Sequence, residues 1–215
     1  GDGMANPARD ICWMNARKNS VNPYKITDFD ISAGEDQALV FDFGGITLGR
    51  IFIDVEAPEG TVFDLTWSEV LRDSLVTLYK RPQINAVGRF VSRSGKQHFE
   101  TFKPYGLRYL QVTIRNHNEP VRLEKAGIIR QEYPSVKRWS FECSDPLLND
   151  IYTTAVWTYR CLSLGGYTVD CPHRERCGWT GDAHTLAASL TQNFDARLFL
   201  TKYMYDMRSS ARNTQ

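Results

Sequence analysis

Between Asp170 and Asp182 the chain reads Asp-Cys-Pro-His-Arg-Glu-Arg-Cys-Gly-Trp-Thr-Gly-Asp. Three carboxylates, two guanidiniums, one imidazole and one indole fall within thirteen residues. Glu175 stands between Arg174 and Arg176. A carboxylate flanked by cations is normally ionised, because opposite charge lowers its pKa. A general acid working at neutral pH needs the reverse. For Glu175 to donate a proton, burial or a nearby carboxylate must outweigh the arginines, or the arginine side chains must point away. Asp170 and Asp182 are the neighbours in question: they either raise the Glu175 pKa or pair with the arginines and neutralise them. Both also suit sugar hydroxyls, since charged acceptors make strong hydrogen bonds. Trp179, between Gly178 and Thr180-Gly181, reads as a ring on a tightly bent backbone, its face suited to the apolar face of a pyranose.

Plainer readings stand beside these. Arg174 and Arg176 would serve equally to pin the loop by pairing with Asp170 and Asp182. Asp182 fits a helix N-cap, Trp179 a core residue, and His173 a hydrogen-bonded structural residue. Cys171, His173, Cys177 and His184 fall within fourteen residues, but at neither Cys-x-x-Cys nor His-x-x-x-His spacing. No metal and no cofactor are expected. The five cysteines are odd in number and scattered, which is no disulfide framework; they read as small buried hydrophobes.

The elements that must position this stretch are helices. Ser144-Asp145-Pro146 is a helix start, a capping oxygen followed by proline in the first turn. Leu147, Leu148, Ile151, Tyr152, Ala155, Val156 and Tyr159 then share one helical face, and Gly165-Gly166 ends the helix. A loop from Tyr167 to Gly181 follows. The second helix is expected from near Asp182 towards Thr191. The third starts near Asp195, with Leu200, Tyr203, Met204 and Met207 inward. Connectors between helices are usually short, and long ones dense in functional groups usually bind or react.

Before Cys143 the period is two. Leu39-Phe41-Phe43, Ile51-Ile53-Val55, Phe63-Leu65-Trp67 and Leu110-Val112-Ile114 alternate with their neighbours. Gly44-Gly45 and Pro58-Glu59-Gly60 supply turns. Gly88–Arg93 and Gln97–Phe102 read as a hairpin around Ser94-Gly95-Lys96, Val121–Tyr133 as a less regular strand and Val136–Phe141 as the last. The expected architecture is an antiparallel, jelly-roll-like β-sandwich followed by helices. Residues 1–36 are read as an irregular lead-in, 37–142 as the sandwich and 143–215 as the helical domain.

Composition narrows the function classes. Among 215 residues, 26 Lys and Arg balance 25 Asp and Glu, with no basic stripe. That argues against nucleic acid or an anionic membrane as partner. No apolar run approaches the roughly 20 residues that cross a bilayer. Gly1 to Asp10 carries neither the basic nor the apolar region of a signal peptide, which leaves the compartment open. Aromatics make up 12%, a share that suits sugar sites and ordinary cores alike.

Residues 170–182 resemble the signature Asp-x-Pro-x-Arg-Glu-Arg-x-Gly-Trp-x-Gly-Asp of α-L-rhamnosidases of glycoside hydrolase family 78, and match each defined position. Phe41-Asp42-Phe43-Gly44 through Gly49-Arg50, Pro58-Glu59-Gly60, Trp67-Ser68-Glu69-Val70-Leu71 and Phe102 through Tyr109 look like that family's sandwich. Phe141 through Asn149 looks like its passage into a catalytic (α/α)6 barrel. The resemblance spans about residues 38–207. It implies that Glu175 is the general acid, that Asp170 and Asp182 bind rhamnose in the −1 subsite, that Arg174 lines that subsite and that Trp179 walls it. It implies inverting removal of terminal α-L-rhamnose from a rhamnose-containing oligosaccharide or plant glycoside by a bacterial hydrolase. The partner base would be a glutamate further along the barrel, roughly 6.5–9.5 Å from the acid. The barrel has six helical hairpins, and three helices fit after Cys143. The base is therefore expected outside residues 143–215, and this stretch alone is expected to lack normal turnover. Two other readings stay open: a non-catalytic carbohydrate-binding module, and a related (α/α)-barrel glycosidase of other sugar specificity. A second acid facing Glu175 from downstream helices separates hydrolase from binding module.

Overall fold

The computed structural model describes residues 17–21, 29–76, 86–174 and 176–212. It divides into two compact units, Gly1–Arg130 and Gln131–Gln215.

In the first unit the described strands are β1 (Arg17–Val21), β2 (Phe29–Ile31), β3 (Gln37–Ala57), β4 (Val62–Ser68), β5 (Leu71–Arg72), β6 (Leu75–Val76), β7 (Val87–Val91), β8 (Gly95–Glu100), β9 (Tyr105–Arg115) and β10 (Val121–Arg130). β3 organises them. Its 21 residues are far more than one layer of a small sandwich needs. The register shifts between Asp42 and Thr47, and such an irregularity bends a strand. The first half pairs with β1 and β9, the second with β8 and β10. One strand thus serves both layers of the sandwich. Leu39 and Phe41 from the first half meet Ile51, Ile53 and Val55 from the second in a single core. Phe63, Leu65 and Trp67 of β4 join them, with Leu110, Val112 and Ile114 of β9. These are the residues that the period-two pattern assigns inward.

Three features depart from that pattern. Gly88–Arg93 and Gln97–Phe102 do not form a hairpin: β7 pairs with β4 and β8 with β3. The cause lies at Ser92, which is buried. Its hydroxyl donates to the Pro58 carbonyl at 2.6 Å and its amide to the Thr61 carbonyl at 2.9 Å. This anchor ends β7 on the Pro58–Thr61 turn and sends the chain to the other half of β3. β1 and β2 lie in the stretch expected to be irregular; β1 runs parallel to β3. Strands this short carry too few residues to show a period. The third feature is a polar face on β4 and β9. Asp64, Thr66, Ser68, Gln111 and Thr113 are all buried. Asp64, fully buried, is held by Arg89 at 2.6 Å and by Arg115 at 2.9 Å, as a buried charge must be.

The second unit holds three described helices, α1 (Pro146–Leu162), α2 (Thr180–Asn193) and α3 (Arg197–Arg212), and the two-residue strands β11 (Ser163–Leu164) and β12 (Tyr167–Thr168). α1 begins as its sequence demands: Asp145 caps it by accepting from the Leu147 amide at 2.9 Å, with Pro146 next. Tyr159, Leu190, Phe194, Ala196 and Phe199 form its core. The strand expected at Val136–Phe141 is instead an extended segment with one bridge, Lys137 to Phe194. The Arg138 amide donates to the Asn193 carbonyl at 2.8 Å, and the Asp195 amide to the Val136 carbonyl at 2.9 Å. Its backbone groups are used to seat the α2–α3 junction. Of the residues assigned inward on the third helix, Tyr203 is buried but Met204 is more than half exposed, as are Leu147 and Ile151 on the apolar face of α1; Phe199 is buried as well.

Candidate active site

The acidic loop hangs from a short hairpin. β11 and β12 pair across Gly165 and Gly166, with φ of 63° and 86°. Two consecutive left-handed residues make the tight turn that matches strand twist, and glycine adopts it without strain. Beyond β12, Val169 is fully buried and forms an antiparallel bridge with Gly178. That bridge pinches the base of residues 170–177, so the loop is closed on itself. Arg176 has a φ of 56°, an unusual conformation for a residue with a side chain. It marks a sharp reversal beside Glu175. Glu175 itself lies outside the described residues.

Asp170 and Arg174 form an ion pair across one turn. The Arg174 Nε also donates to the Cys171 Sγ at 3.3 Å. Burial alone would raise the Asp170 pKa. Cys171 and the Arg174 guanidinium beside it outweigh burial and hold the carboxyl below its usual range. Asp170 is therefore an anion at neutral pH. One of its oxygens faces Arg174; the other, Oδ1, is buried without a hydrogen-bond partner among the described residues. Burial pushes the Cys171 thiol up, which leaves it protonated and a poor nucleophile. Among the described residues no three His, Cys, Asp or Glu side chains converge to hold a metal ion.

Trp179 is 49% exposed and so is no core residue. Its backbone, with φ −87° and ψ 130°, supplies the N-cap position of α2. Asp182 is therefore not the cap; it lies in the first turn, where the helix dipole favours a negative charge. Among the described residues the Asp182 side chain has neither a hydrogen bond nor an ion pair. Asp170, Arg174, Trp179 and Asp182 are thus carried by one pinched loop and the helix start that follows it. Three residues that were not site candidates, Gly178, Tyr167 and Tyr203, hold that base. A Cβ on Gly178 would stand 3.2 Å from the Tyr167 ring and 3.3 Å from the Tyr203 ring, so the glycine sits between two aromatic walls. Tyr167, Gly178, Thr180, Tyr203 and Asp206 line a cleft of about 440 Å³ beside it. The periodicity of α3 turns Tyr203 inward, but nothing in it points to Gly178.

The described elements are a β-sandwich and the start of a helical domain, with an acidic loop between its first two helices. Residues 32–129 match the bacterial alpha-L-rhamnosidase concanavalin-like domain, and residues 136–215 the bacterial alpha-L-rhamnosidase 6 hairpin glycosidase domain. An alpha-L-rhamnosidase of Formosa agariphila is 27% identical over 86% of this chain and 20% of its own length. The crystal structure of a GH78 family rhamnosidase of Bacillus sp. GL1 superposes with a TM-score of 0.71 at 32% identity, over 78% of this chain and 17% of that one. A rhamnosidase from Klebsiella oxytoca with rhamnose bound shares the fold, with a TM-score of 0.67 at 19% identity, over 80% of this chain and 35% of that one. The chain belongs to the bacterial α-L-rhamnosidases of glycoside hydrolase family 78. It spans about a fifth of the length of the curated relative from Formosa.

Proposed function

We propose that the whole protein to which these residues belong removes terminal α-L-rhamnose from rhamnose-containing oligosaccharides or glycosides with inversion. Glu175 protonates the glycosidic oxygen, Asp170 and Asp182 accept hydrogen bonds from the sugar hydroxyls, Arg174 lines the −1 subsite and Trp179 stacks on the ring. A glutamate from a later part of the barrel acts as base on a water at the opposite face.

The observation that carries this reading is the state of Asp170. It is ionised, braced through one oxygen by Arg174, and keeps a second buried oxygen with no donor among the described residues. A buried acceptor without a partner is costly, and a sugar hydroxyl is a donor of the right kind to relieve it. The same ion pair bears on Glu175. Arg174 spends its charge on Asp170, which removes much of one of the two cations that would otherwise hold the neighbouring acid ionised.

The test uses the complete protein and an aryl α-L-rhamnoside, with the product anomer followed by NMR. Glu175→Gln is expected to lower kcat by about a thousandfold. Asp170→Asn is expected to raise KM by at least about tenfold. Near-normal turnover in the first variant would remove Glu175 from the acid role, and retention of the anomeric configuration would exclude the inverting mechanism.

A further inference from the structure

A small cavity of about 130 Å³ opens in the helical unit between Glu132–Ser135, the last turn of α1 and the α2–α3 junction. No described residue of the acidic loop lines it. Two hydroxyls of its wall, those of Tyr159 and Ser135, are buried without a hydrogen-bond partner among the described residues. Tyr159 is 6% exposed, and its ring belongs to the core with Phe194 and Phe199. Phenylalanine would pack there without an unsatisfied group, so the hydroxyl costs stability unless a ligand meets it. Burial pushes the phenol up to about 12, so it is a neutral hydroxyl that can both donate and accept. Ser163 is on the same wall. It donates to the Tyr159 carbonyl at 2.9 Å and keeps lone pairs for an incoming donor. Arg160 and Glu132 complete the polar lining, 3.4 Å apart, with the guanidinium 5.8 Å from the centre of the Phe194 ring.

This lining selects a class of ligand. Arg160 and Glu132 cancel in charge, which favours neither an anion nor a cation. Three hydroxyls and that pair offer donors and acceptors together, beside the aromatic rings of Tyr133 and Phe194. The cavity exceeds the roughly 30 Å³ share of a single water several times over. A neutral carbon frame with adjacent hydroxyls matches all three properties. We propose that this cavity is a second saccharide site, which takes one neutral sugar residue edge-on, with adjacent sugar hydroxyls on Tyr159 and Ser135 and the next on the Arg160–Glu132 pair. Glu132 is the one carboxylate among the described residues that line it, so the site holds a sugar and does not hydrolyse it. Ser163 lies on β11, so the occupant is anchored at the root of the hairpin that carries the acidic loop.

The test uses the complete protein, with radiolabelled L-rhamnose as the probe in equilibrium dialysis and crystals soaked in the same sugar. Tyr159→Phe and Ser135→Ala are each expected to weaken one equivalent of sugar binding by at least about tenfold. Their thermal midpoints without sugar are expected to equal or exceed that of wild type. Asp170→Asn is expected to leave this equivalent in place. Sugar density in the cavity of soaked wild type, absent from Tyr159→Phe, is the expected crystallographic result. Water alone in the cavity, a side chain from elsewhere in the protein filling it, or unchanged sugar uptake in both hydroxyl variants overturns the proposal. So does a lowered midpoint in both variants without sugar, since the hydroxyls would then be bonded within the protein. Loss of the same equivalent in Asp170→Asn would merge the cavity with the acidic loop and overturn it as a second site. Turnover is not read in this experiment, so the proposal stands or falls apart from the rhamnosidase reading.

Discussion

Trp179 shows how a single side chain can be placed by its backbone. Gly178 before it is wedged between Tyr167 and Tyr203, and α2 starts directly after it. The indole is left half exposed and makes little contribution to any core. Trp179→Ala is therefore expected to change the thermal midpoint by no more than a few degrees, as surface substitutions do, while weakening rhamnose binding by at least about tenfold in the complete protein. Equal loss of stability and binding would return Trp179 to a packing role. On the sandwich, His98 Nδ1 donates to Asp54 Oδ1 at 2.6 Å, and its Nε2 lies 3.6 Å from Glu100. The hydrogen bond with Asp54 raises its pKa, against the smaller opposing effect of burial, and Glu100 adds to the rise. A raised folded-state pKa contributes stability that is complete below the unfolded histidine value and lost as pH climbs through the folded value. Wild type is thus expected to exceed His98→Ala in melting temperature at mildly acidic pH, with the gap closing towards alkaline pH. A gap that stays constant across that range would show that the imidazolium makes no contribution.

At the scale of elements, two devices set the positions of everything else. One is the bend in β3, which lets one strand pair with β9 in its first half and with β8 and β10 in its second. Both halves then send alternate residues into one core. The other is the start of α1. Its cap and proline leave little choice of where the helix begins, and α1 ends directly before the hairpin from which the acidic loop hangs. Asp145→Ala removes the side-chain acceptor of the Leu147 amide, and is expected to cost about 1 kcal/mol of stability, read from urea melts. A loss within a few tenths of that seen for an exposed non-capping aspartate on the same helix would mean that the cap is not formed in solution.

On the scale of the whole molecule, the second unit presents apolar surface that its own residues do not cover. Leu147, Leu148, Ile151, Leu198 and Met204 are exposed. A groove of about 520 Å³ runs between α1 and α2, lined among others by Ile151, Ala155, Val156, Leu186 and Phe194. Contiguous apolar area of this kind is unusual on a monomer surface. The 215-residue chain is expected to bind an environment-sensitive hydrophobic dye strongly in its folded state, and the double substitution Leu147→Lys with Ile151→Lys is expected to weaken the signal severalfold. Undiminished fluorescence in that variant would place the dye site elsewhere.

Much of this architecture was legible in the residues. Alternation in Ile51-Ile53-Val55 or Leu110-Val112-Ile114 predicts strands because a pleated backbone sends successive side chains to opposite faces. Asp145-Pro146 predicts a helix start because few other residues satisfy the free amides there. The spacing of Asp170, Arg174, Glu175, Trp179 and Asp182 along a loop marks a carboxylate site and a family. What only the tertiary structure decided are the pairings across long separations. Nothing in Gly88–Phe102 reveals that β7 and β8 part company, because the anchor that diverts them is a turn some thirty residues earlier. Nor do the residue types say which aspartate takes Arg174. Those outcomes depend on distance and burial, and both are properties of the packed chain. The same holds for Tyr203, which becomes a neighbour of Gly178 only after α3 has folded back over the loop.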